Sequence, residues 1–459
     1  MSRLQWNRAP RRGSKPDDWA ATPEGTRSLG VLVRRALLEM AGLRRGPLPR
    51  EDADSIRAAV ELQLGSAQLA DRGIGAGRAL SSLSDLIARF GLNLSDPNAA
   101  AHLQPPTLAV SVAADTLANL TNASLDTYDS GPAAIAIERW TIETLAQLAG
   151  FREGADGVMT PGGSISNLMG LLLARDFVAS RRGIDCRNSG VRELGRPVVF
   201  CSDVAHFSLH RACAALGLGE RAVRPISVTA SRTMDPGALV KELGRLEEGE
   251  TPVAIVATAG TTDFGTVDPL RELAGIAREH GIWFHVDAAY GFGALFSRAL
   301  AHCMDGISLA DSITLDLHKL GWQPAAASVL LVSPDRSFSS LSRSVDYLNP
   351  ADDAEAGFDG LLGNSLQTTR RADAIKVAAT LLAYGRRGLG EMVDACHTLA
   401  RHAEKRVRFE NRLTLEAPAE LTTVVFRYRA MNPPTESGAN RGEFENQLNA
   451  ELRRTLLQS

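Results

Sequence analysis

The chain has 459 residues, of which 44% are hydrophobic and 22% are charged, and its formal net charge is −3 at pH 7. This length predicts two or three units that share a large core, and the composition is ordinary for a soluble globular protein. The small net charge gives no general attraction to nucleic acid or to an anionic membrane. No apolar run approaches the ~18 residues that a membrane span needs. We therefore expect no nucleic-acid partner and no membrane segment.

Residues 1–30 are expected to form a flexible lead. The tip is rich in arginine, but Asp17, Asp18 and Glu24 follow, which favours a solvated tail over an organelle transit peptide. Apolar spacing then predicts a series of helices at Ser28–Gly42, Glu51–Leu64, Leu80–Phe90, Leu108–Thr121 and Ala133–Ala149. The glycine cluster Gly73–Gly77 lacks both GxGxxG spacing and a preceding strand, so it predicts a plain loop.

From about residue 157 short apolar runs alternate with helical patterns. The predicted strands are Pro197–Cys201, Arg224–Val228, Val253–Thr258, Ile282–Val286, Ser312–Leu315 and Ser328–Val332. Helices predicted between them are Leu209–Leu216, Pro236–Leu246 and Leu270–His280. Strands that are apolar on both faces and separated by helices indicate a mostly parallel sheet covered on both sides.

The remaining segments are less regular. The polar segment Arg181–Arg196 is interpreted as a solvated loop. Beyond residue 340 the pattern predicts a small α+β domain with elements at Leu366–Tyr384, Leu389–Arg408, Thr422–Tyr428 and Glu443–Leu457. We therefore divide the chain into an N-terminal lead with dimer-packing helices (1–95), a large domain (96–340) and a small C-terminal domain (341–459). The five cysteines form no CxxC pair and no metal-ligand spacing, which predicts reduced thiols in a cytoplasmic protein and no metal site.

Residues able to carry chemistry follow the predicted strands. His206, Thr258, Asp287 and Lys319 lie at or just past strand ends, where parallel sheets of this type bind ligands. A lysine amine that forms a Schiff base, with a carboxylate that keeps a pyridinium nitrogen protonated, is what pyridoxal 5'-phosphate chemistry requires. An isolated lysine or aspartate would be structural, and a lone histidine could belong to the core, but their order here favours a shared site.

A turn of small residues offers a binding site for the phosphate group of such a cofactor. Thr160-Pro-Gly-Gly-Ser164-Ile-Ser166 precedes a predicted helix at Asn167–Ser180, so free N–H groups, hydroxyls and a positive helix end coincide. These features predict an anion site for a phosphate monoester. Thr258 and Thr261, after another strand, add hydroxyls on the cofactor side, and the small Ala289 leaves room for a planar ring.

These segments resemble the group II pyridoxal-phosphate-dependent amino-acid decarboxylases. The resemblance runs from about Ala101 to Leu457 and rests on the motifs Pro161–Asn167, Ser202–His206, Ala257–Thr262 with Asp268-Pro269, His285–Tyr290 and Asp311–Lys319. His318-Lys-Leu-Gly-Trp-Gln323, Asp346–Pro350 and Ser365–Arg371 look most like the L-2,4-diaminobutyrate decarboxylase branch. Where many relatives have asparagine, this chain has Asp316, and its small domain is shorter than is usual in the family.

The resemblance implies an α/β fold of type I, with a seven-stranded sheet, and a homodimer with sites at the subunit interface. It implies catalytic roles for Lys319 (Schiff base), Asp287 (pyridinium partner), His206 (ring stacking) and Tyr347 (protonation of Cα). The implied cofactor-binding residues are Gly163, Ser164, Ser166, His206, Thr258, Thr261, Asp287, Ala289, His318 and Lys319.

The expected reaction is decarboxylation of an L-amino acid to an amine and carbon dioxide. The side chain of the substrate is expected to be small or basic, although Arg370 and Arg371 could also pair with an acidic group or with a partner's backbone. Three alternatives remain: oxidative decarboxylation–deamination to an aldehyde, transamination, and a catalytically inactive partner subunit or binding protein.

Overall fold

The computed structural model describes residues 19–41, 46–65, 67–100, 102–342, 348, 351–430 and 441–458. These residues form two compact units. One contains the described parts of 1–102 and 439–459, and the other contains the described part of 103–438. The last helix therefore groups with the N-terminal helices rather than with residues 341–430. The division of the sequence into three domains remains a prediction.

The helices are α1 (Pro23–Met40), α2 (Ala53–Leu64), α3 (Ala76–Phe90), α4 (Ala109–Thr121), α5 (Pro132–Leu148), α6 (Gly163–Arg181), α7 (Cys186–Ser189), α8 (Ser208–Ala215), α9 (Pro236–Leu243), α10 (Leu270–His280), α11 (Ala351–Glu355), α12 (Ala374–Phe409) and α13 (Arg441–Gln458). The strands are β1 (Asp156–Thr160), β2 (Arg196–Ser202), β3 (Val223–Ile226), β4 (Glu250–Thr258), β5 (Trp283–Asp287), β6 (Ser312–Asp316), β7 (Ser328–Val332), β8 (Leu413–Leu415) and β9 (Phe426–Tyr428). Short 3₁₀ helices lie at Tyr128–Ser130, Arg192–Leu194, Glu220–Ala222, Gly291–Phe296, Ala301–Met304, Ile307–Leu309 and Leu362–Asn364.

In the first unit, α1 and α2 both pack against α3. Ser81 donates a hydrogen bond to Glu39 at 2.8 Å, and Gln63 donates one to Asp85 at 3.1 Å, so polar contacts reinforce both packings. No helix within the described ranges is long and apolar enough to cross a membrane.

The second unit is built on a sheet that has seven strands in the part of the chain described here. The strand order is β1-β7-β6-β5-β4-β2-β3, and the five strands from β6 to β3 run parallel to their neighbours, whereas β7 is antiparallel to β6 and β1. The predicted mostly parallel α/β sheet is thereby confirmed. A small antiparallel pair, β8 and β9, lies later in the chain.

Both faces of the sheet are covered, because alternate residues of each strand point to opposite sides. Ile255 and Ala257 of β4 belong to one apolar layer, which includes residues of α5, α10 and α12. Ala254 and Val256 of the same strand belong to the other, which includes residues of α6 and α8. This double coverage explains why the central strands read as continuous apolar runs.

The structure corrects several element predictions. Strand β1 was missed, since its five residues include Asp156 and Gly157 and are too few to show a period. The predicted loop 181–196 contains helix α7, which Asp185 caps and which buries Cys186. The segment 366–373 is not helical, because Arg371 bridges to Ser124 and the helix begins only at Ala374. The predicted break between the two late helices is confirmed as a kink at Gly385.

Candidate active site

The predicted site residues lie at the carboxyl ends of neighbouring strands. Thr258 ends β4, Asp287 ends β5, and the two residues are paired in the parallel register. Lys319 lies in the turn after β6, and His206 lies in the turn after β2. Because β2, β4, β5 and β6 are consecutive parallel strands of the sheet, their carboxyl ends meet at one edge. The structure therefore brings these four residues to the same edge.

Asp287 is a buried carboxylate that neutral donors hold in place. Its Oδ2 accepts a hydrogen bond from Asn167 Nδ2 at 2.8 Å, and its Oδ1 accepts one from the N–H of Ala289 at 3.1 Å. Burial raises the pKa of Asp287, while the bond from Asn167 and the nearby charge of Lys319 act in the opposite direction. A positively charged ligand group is the partner that would stabilise this carboxylate.

Asn167, on α6, joins Asp287 to a buried chain of hydrogen bonds. Its Nδ2 also lies 3.0 Å from Ser208 Oγ, so both amide protons are in use and its Oδ1 must accept. Oδ1 lies 3.1 Å from His285 Nε2, which identifies Nε2 as the protonated nitrogen of that ring. Nδ1 of His285 then accepts from Ser312 Oγ at 2.8 Å. Burial lowers the pKa of His285 to about 3, so the ring is neutral.

Room for His285 depends on a glycine in the facing helix. A Cβ at Gly170 of α6 would lie 2.7 Å from Cε1 of the imidazole, a distance that real side chains do not reach. Helix α6 can therefore approach β5 closely enough for Asn167 to contact both Asp287 and His285. Sequence reasoning included Asn167 in a motif but assigned it no role. Its spacing of three residues from Gly170 is the signal that could have placed it on the same helix face.

His206 is a half-buried imidazole whose orientation Ser208 controls. The N–H of Ser208 donates to His206 Nδ1 at 3.3 Å, and Ser208 Oγ lies 2.9 Å from the same nitrogen. Nδ1 is therefore an acceptor, and Nε2 carries the proton of the neutral ring. Burial lowers the pKa of His206 and so favours this neutral form. Its stacking role remains a prediction.

Lys319 forms an ion pair with a residue that was not predicted to be in the site. Its Nζ lies 3.0 Å from Asp316 Oδ2, and Asp316 Oδ1 accepts a hydrogen bond from Ser328 Oγ at 2.5 Å. His318 Nε2 lies 3.7 Å from Asp316 Oδ2, while its Nδ1 accepts from the N–H of Ala327 at 3.3 Å. Asp316 is thus the counter-ion of Lys319, and His318 packs beside this pair.

The segment from Gly162 to Ser166 forms the start of α6. Gly162 has φ 144°, which favours glycine, and no side chain caps this helix end. The first turn of the helix bonds back to the Gly162 carbonyl, which leaves the N–H groups of Gly163 and Ser164 as donors for an anion. Ser164 is exposed, whereas the hydroxyl of the buried Ser166 bonds to Thr160 Oγ1 at 2.6 Å and braces the turn from within.

The two threonines after β4 differ in what their hydroxyls can do. Thr258 Oγ1 is buried and has no hydrogen-bond partner among the described residues, although the N–H of Thr258 donates to Asp268. Thr261 is fully buried, and its hydroxyl lies 2.8 Å from that of Thr266. Thr258 therefore offers an unused hydroxyl at the strand end, while Thr261 stabilises the turn.

Pyridoxal phosphate fits this set of groups. Asp287 accepts hydrogen bonds from the neutral donors Asn167 and Ala289, so its carboxylate can still pair with a protonated ring nitrogen. The buried Thr258 hydroxyl has no hydrogen-bond partner among the described residues and can bond to the ligand. The partly exposed Ala289 links the carboxylate of Asp287 to the backbone of Asp316, because its N–H donates to Asp287 Oδ1 and its carbonyl accepts from the main-chain N–H of Asp316 at 3.2 Å. A lysine amine and a helix end that binds anions complete the requirements.

Two arginines that were candidates for substrate binding are occupied within the chain. Arg370 forms a buried ion pair with Glu138 at 2.7 Å. Arg371 lies 2.8 Å from Asp115 and 2.5 Å from Asp373. These ion pairs within the chain occupy both guanidinium groups in part, and pairing of either arginine with an acidic substrate group stays one of the alternatives that the sequence left open. Tyr347, the predicted proton donor, lies outside the described residues.

Comparison with known proteins agrees with this site. The profile of the pyridoxal-dependent decarboxylase conserved domain matches residues 78–429. The chain is 41% identical to an L-2,4-diaminobutyrate decarboxylase of Rhizobium meliloti (strain 1021), over 80% of this chain and 72% of that protein. It is 35% identical to the enzyme of the same name from Acinetobacter baumannii, over 81% and 75%. The glutamate decarboxylase domain of diaminobutyrate-pyruvate transaminase and L-2,4-diaminobutyrate decarboxylase from Vibrio parahaemolyticus superposes with a TM-score of 0.81 at 27% identity, over 97% of this chain and 90% of that one.

The fold and the site define a pyridoxal-phosphate-dependent enzyme of the α/β class. More specifically, the chain belongs to the pyridoxal-dependent decarboxylase family, the group II amino-acid decarboxylases. It is a PLP-dependent carboxy-lyase that acts on amino acids, as its sequence motifs predicted.

Proposed function

We propose that this protein decarboxylates L-2,4-diaminobutyrate, or a similar small basic L-amino acid, to the corresponding amine and carbon dioxide. The observation that carries the proposal is the identity of 41% and 35% to two enzymes of that name over four fifths of the chain. The ion pairs of Arg370 with Glu138 and of Arg371 with Asp115 leave these two arginines less suited to bind an acidic substrate side chain.

Each residue has a definable task in this reaction. When bound, pyridoxal phosphate supplies the electron sink for the pair released as the bond between Cα and the carboxylate breaks. Lys319 supplies the amine that attaches the cofactor, and Asp287 holds the proton of the ring nitrogen. The neutral imidazole of His206 provides a flat surface at the strand edge. Tyr347 returns a proton to Cα, which completes formation of the amine.

A mass-spectrometric screen of the cofactor-loaded protein against the common L-amino acids, diaminobutyrate and ornithine tests the proposal. We expect diaminobutyrate to give a product lighter by one carbon dioxide. An equal or higher rate with glutamate or an aromatic amino acid would overturn the substrate assignment. No amine from any of these substrates, despite full loading with the cofactor, would instead favour an inactive partner subunit.

The same screen, run with an oxygen electrode, separates simple from oxidative decarboxylation. The family resemblance implies that Tyr347 stands at the position where related aldehyde-forming enzymes have phenylalanine, so we expect amine formation without oxygen uptake. In a Tyr347→Phe variant we expect amine formation to fall and oxygen uptake with aldehyde formation to rise. Oxygen uptake by the unaltered protein that matches its turnover would contradict the assignment.

We further propose that the protein works as a cytoplasmic homodimer with residues of both subunits at each site, as the family resemblance implies. Light scattering of the cofactor-loaded protein tests the assembly, with about twice the mass of one chain as the expected result. A monomer with full activity would contradict it.

A further inference from the structure

A carboxylate lies at the helix end where the cofactor phosphate is expected. Gly163 is the first residue of α6, and a Cβ built on it would lie 2.9 Å from Oδ1 and 3.0 Å from Oδ2 of Asp316. The carboxylate therefore packs directly against the backbone of the helix end. The same helix end, with free N–H groups and a positive dipole, is suited to a phosphate monoester. Two anionic groups thus share one electropositive position.

The groups that face Asp316 offer little to neutralise a second anion. Lys319 is in ion-pair contact at 3.0 Å, and its amine is the group that must engage the cofactor. His318 lies farther away, at 3.7 Å. Among the described residues of the neighbouring elements, β7 contributes the neutral hydroxyl of Ser328 and α6 contributes the backbone of Gly163.

More distant titratable groups add no positive charge near Asp316. Asp287, at the end of β5, adds a second negative charge that interacts with Asp316. His206, in the turn after β2, is held in its neutral form by burial. An incoming phosphate therefore meets a carboxylate whose one ion pair with a lysine or arginine among the described residues is with Lys319. A proton held between the carboxylate and the phosphate removes the repulsion and forms a charge-assisted O–H···O⁻ hydrogen bond.

We propose that Asp316 and the cofactor phosphate share one proton, so that cofactor binding takes up a proton and tightens as the pH falls. Oδ1 of Asp316 keeps its hydrogen bond from Ser328, and Oδ2 becomes the partner of the phosphate when Lys319 engages the cofactor. The proton comes from the solvent, and no covalent bond changes at Asp316. This inference rests on the cofactor of the family and not on the choice of substrate, so a failed substrate screen leaves it intact.

Titration of the apoprotein with pyridoxal phosphate and with pyridoxal, which lacks the phosphate, tests the proposal. Dissociation constants are measured by absorbance between about pH 6 and about pH 9 for the unaltered chain and for Asp316→Asn. We expect the affinity of the unaltered chain for pyridoxal phosphate to fall with rising pH more steeply than that of the variant, by up to about tenfold per pH unit. With pyridoxal, the two proteins should differ less in pH dependence, because the substitution then removes only the ion pair with Lys319.

Asp305→Asn is the matched control, because it removes one carboxylate charge from an exposed ion pair with Arg271. It should behave as the unaltered chain does with both ligands. Equal pH dependence of pyridoxal phosphate binding in the unaltered chain and Asp316→Asn would overturn the proposal. An Asp316→Asn effect of the same size with pyridoxal would also overturn it, since it would identify Asp316 as a counter-ion of Lys319 only.

A second measurement needs no variant. Calorimetric titration of the unaltered apoprotein in two buffers of different ionisation enthalpy gives the number of protons bound with each ligand. Near pH 8 we expect pyridoxal phosphate to take up about one proton more than pyridoxal. The same proton count for both ligands would exclude a shared proton.

Discussion

Asp287 and Asp316 end neighbouring parallel strands, but the protein treats the two carboxylates differently. Asp287 is buried and receives hydrogen bonds only from the amide of Asn167 and the backbone of Ala289. Asp316 lies 3.0 Å from the ammonium group of Lys319. The difference shows that equivalent positions at a sheet edge acquire their chemistry from what the adjoining turns supply. A carboxylate fixed by neutral donors remains available to a cationic ligand, whereas one with its own cation is already neutralised.

The cost of the two arrangements also differs. Burial without a counter-ion disfavours the charged form, which is why the pKa of Asp287 is raised. A ligand with a protonated ring nitrogen would offset the free-energy cost of burying the charged Asp287. Such a ligand would therefore bind more tightly. At Asp316, where we propose that the phosphate binds, the same ligand would bring a further negative charge. The two ends of the site therefore respond oppositely to one cofactor, and substitutions can separate them.

Removal of the side-chain amine of Lys319 should have the largest effect on the rate of amine formation. Lys319→Ala eliminates the proposed attachment point of the cofactor, so we expect amine formation to fall on the order of 10⁴-fold or more. Mass spectrometry of the product measures it. Lys405→Ala, an exposed lysine on α12, is the control and should retain full activity. Substantial turnover in the Lys319→Ala protein would exclude the proposed mechanism.

Substitutions of Asp287 and Asp316 should have different effects on kcat and on cofactor affinity. Asp287→Asn removes the charge proposed to hold the ring proton, and we expect kcat to fall on the order of 10²- to 10³-fold with saturating cofactor. Asp316→Asn should affect cofactor affinity more than kcat, because it acts at the phosphate end. Steady-state kinetics measures both, with Asp305→Asn as the control. Equal losses of kcat in the two variants would remove the distinction drawn between them.

The buried hydrogen bonds that connect Asp287 to His285 through Asn167 should affect how the free energy of unfolding depends on pH in acid. His285 has a folded-state pKa of about 3 against an ordinary 6.5, so the unfolded chain binds more protons between these values. Its contribution to stability is complete above pH 6.5 and is lost as the pH falls toward 3. By about pH 4 the loss reaches about 3 kcal/mol of unfolding free energy. Urea unfolding at several pH values should give a flatter acid dependence for His285→Gln.

Two features make this comparison specific. Asp268, whose pKa burial raises to about 6, gives the opposite slope, but it is present in both proteins and cancels in the difference. His402→Gln, an exposed histidine on α12, should leave the slope unchanged. If His285→Gln kept the acid dependence of the unaltered chain, the neutral buried imidazole would be ruled out.

The smallest effect concerns the amide that holds Asp287. Asn167→Ala removes a hydrogen bond that lowers the pKa of Asp287, so that pKa should rise and the acid limb of kcat/KM should move to higher pH. We expect about a tenfold loss of activity, as one hydrogen bond to a charged group contributes about 1.5 kcal/mol. Asn188→Ala, an exposed position, is the control. If Asn167→Ala lowered the free energy of unfolding but left the acid limb of kcat/KM unchanged, the role of Asn167 would be structural alone.

Much of the fold could be predicted because its elements are long or strongly patterned. Strands β6 and β7 and helix α10 coincide with the predicted bounds to within a residue, since apolar runs and helical spacing are local properties. Strand β1 could not be predicted, because its five residues, which include a glycine, are too few to show an alternating apolar pattern. Helix α12 begins late, because Arg371 is drawn into a contact with Asp115 that is distant in sequence.

The sequence by itself determined the class of chemistry. Lys319, Asp287 and the glycine turn could be proposed as site residues because a Schiff-base lysine, a pyridinium partner and a phosphate site demand particular residue types at strand and helix ends. Strand ends can be predicted from local pattern. Only the tertiary structure decided which groups these residues contact. Asn167 and His285 lie 118 residues apart, and Asp316 meets Gly163 of a distant helix. Such contacts depend on the order of strands in the sheet, which no local pattern encodes.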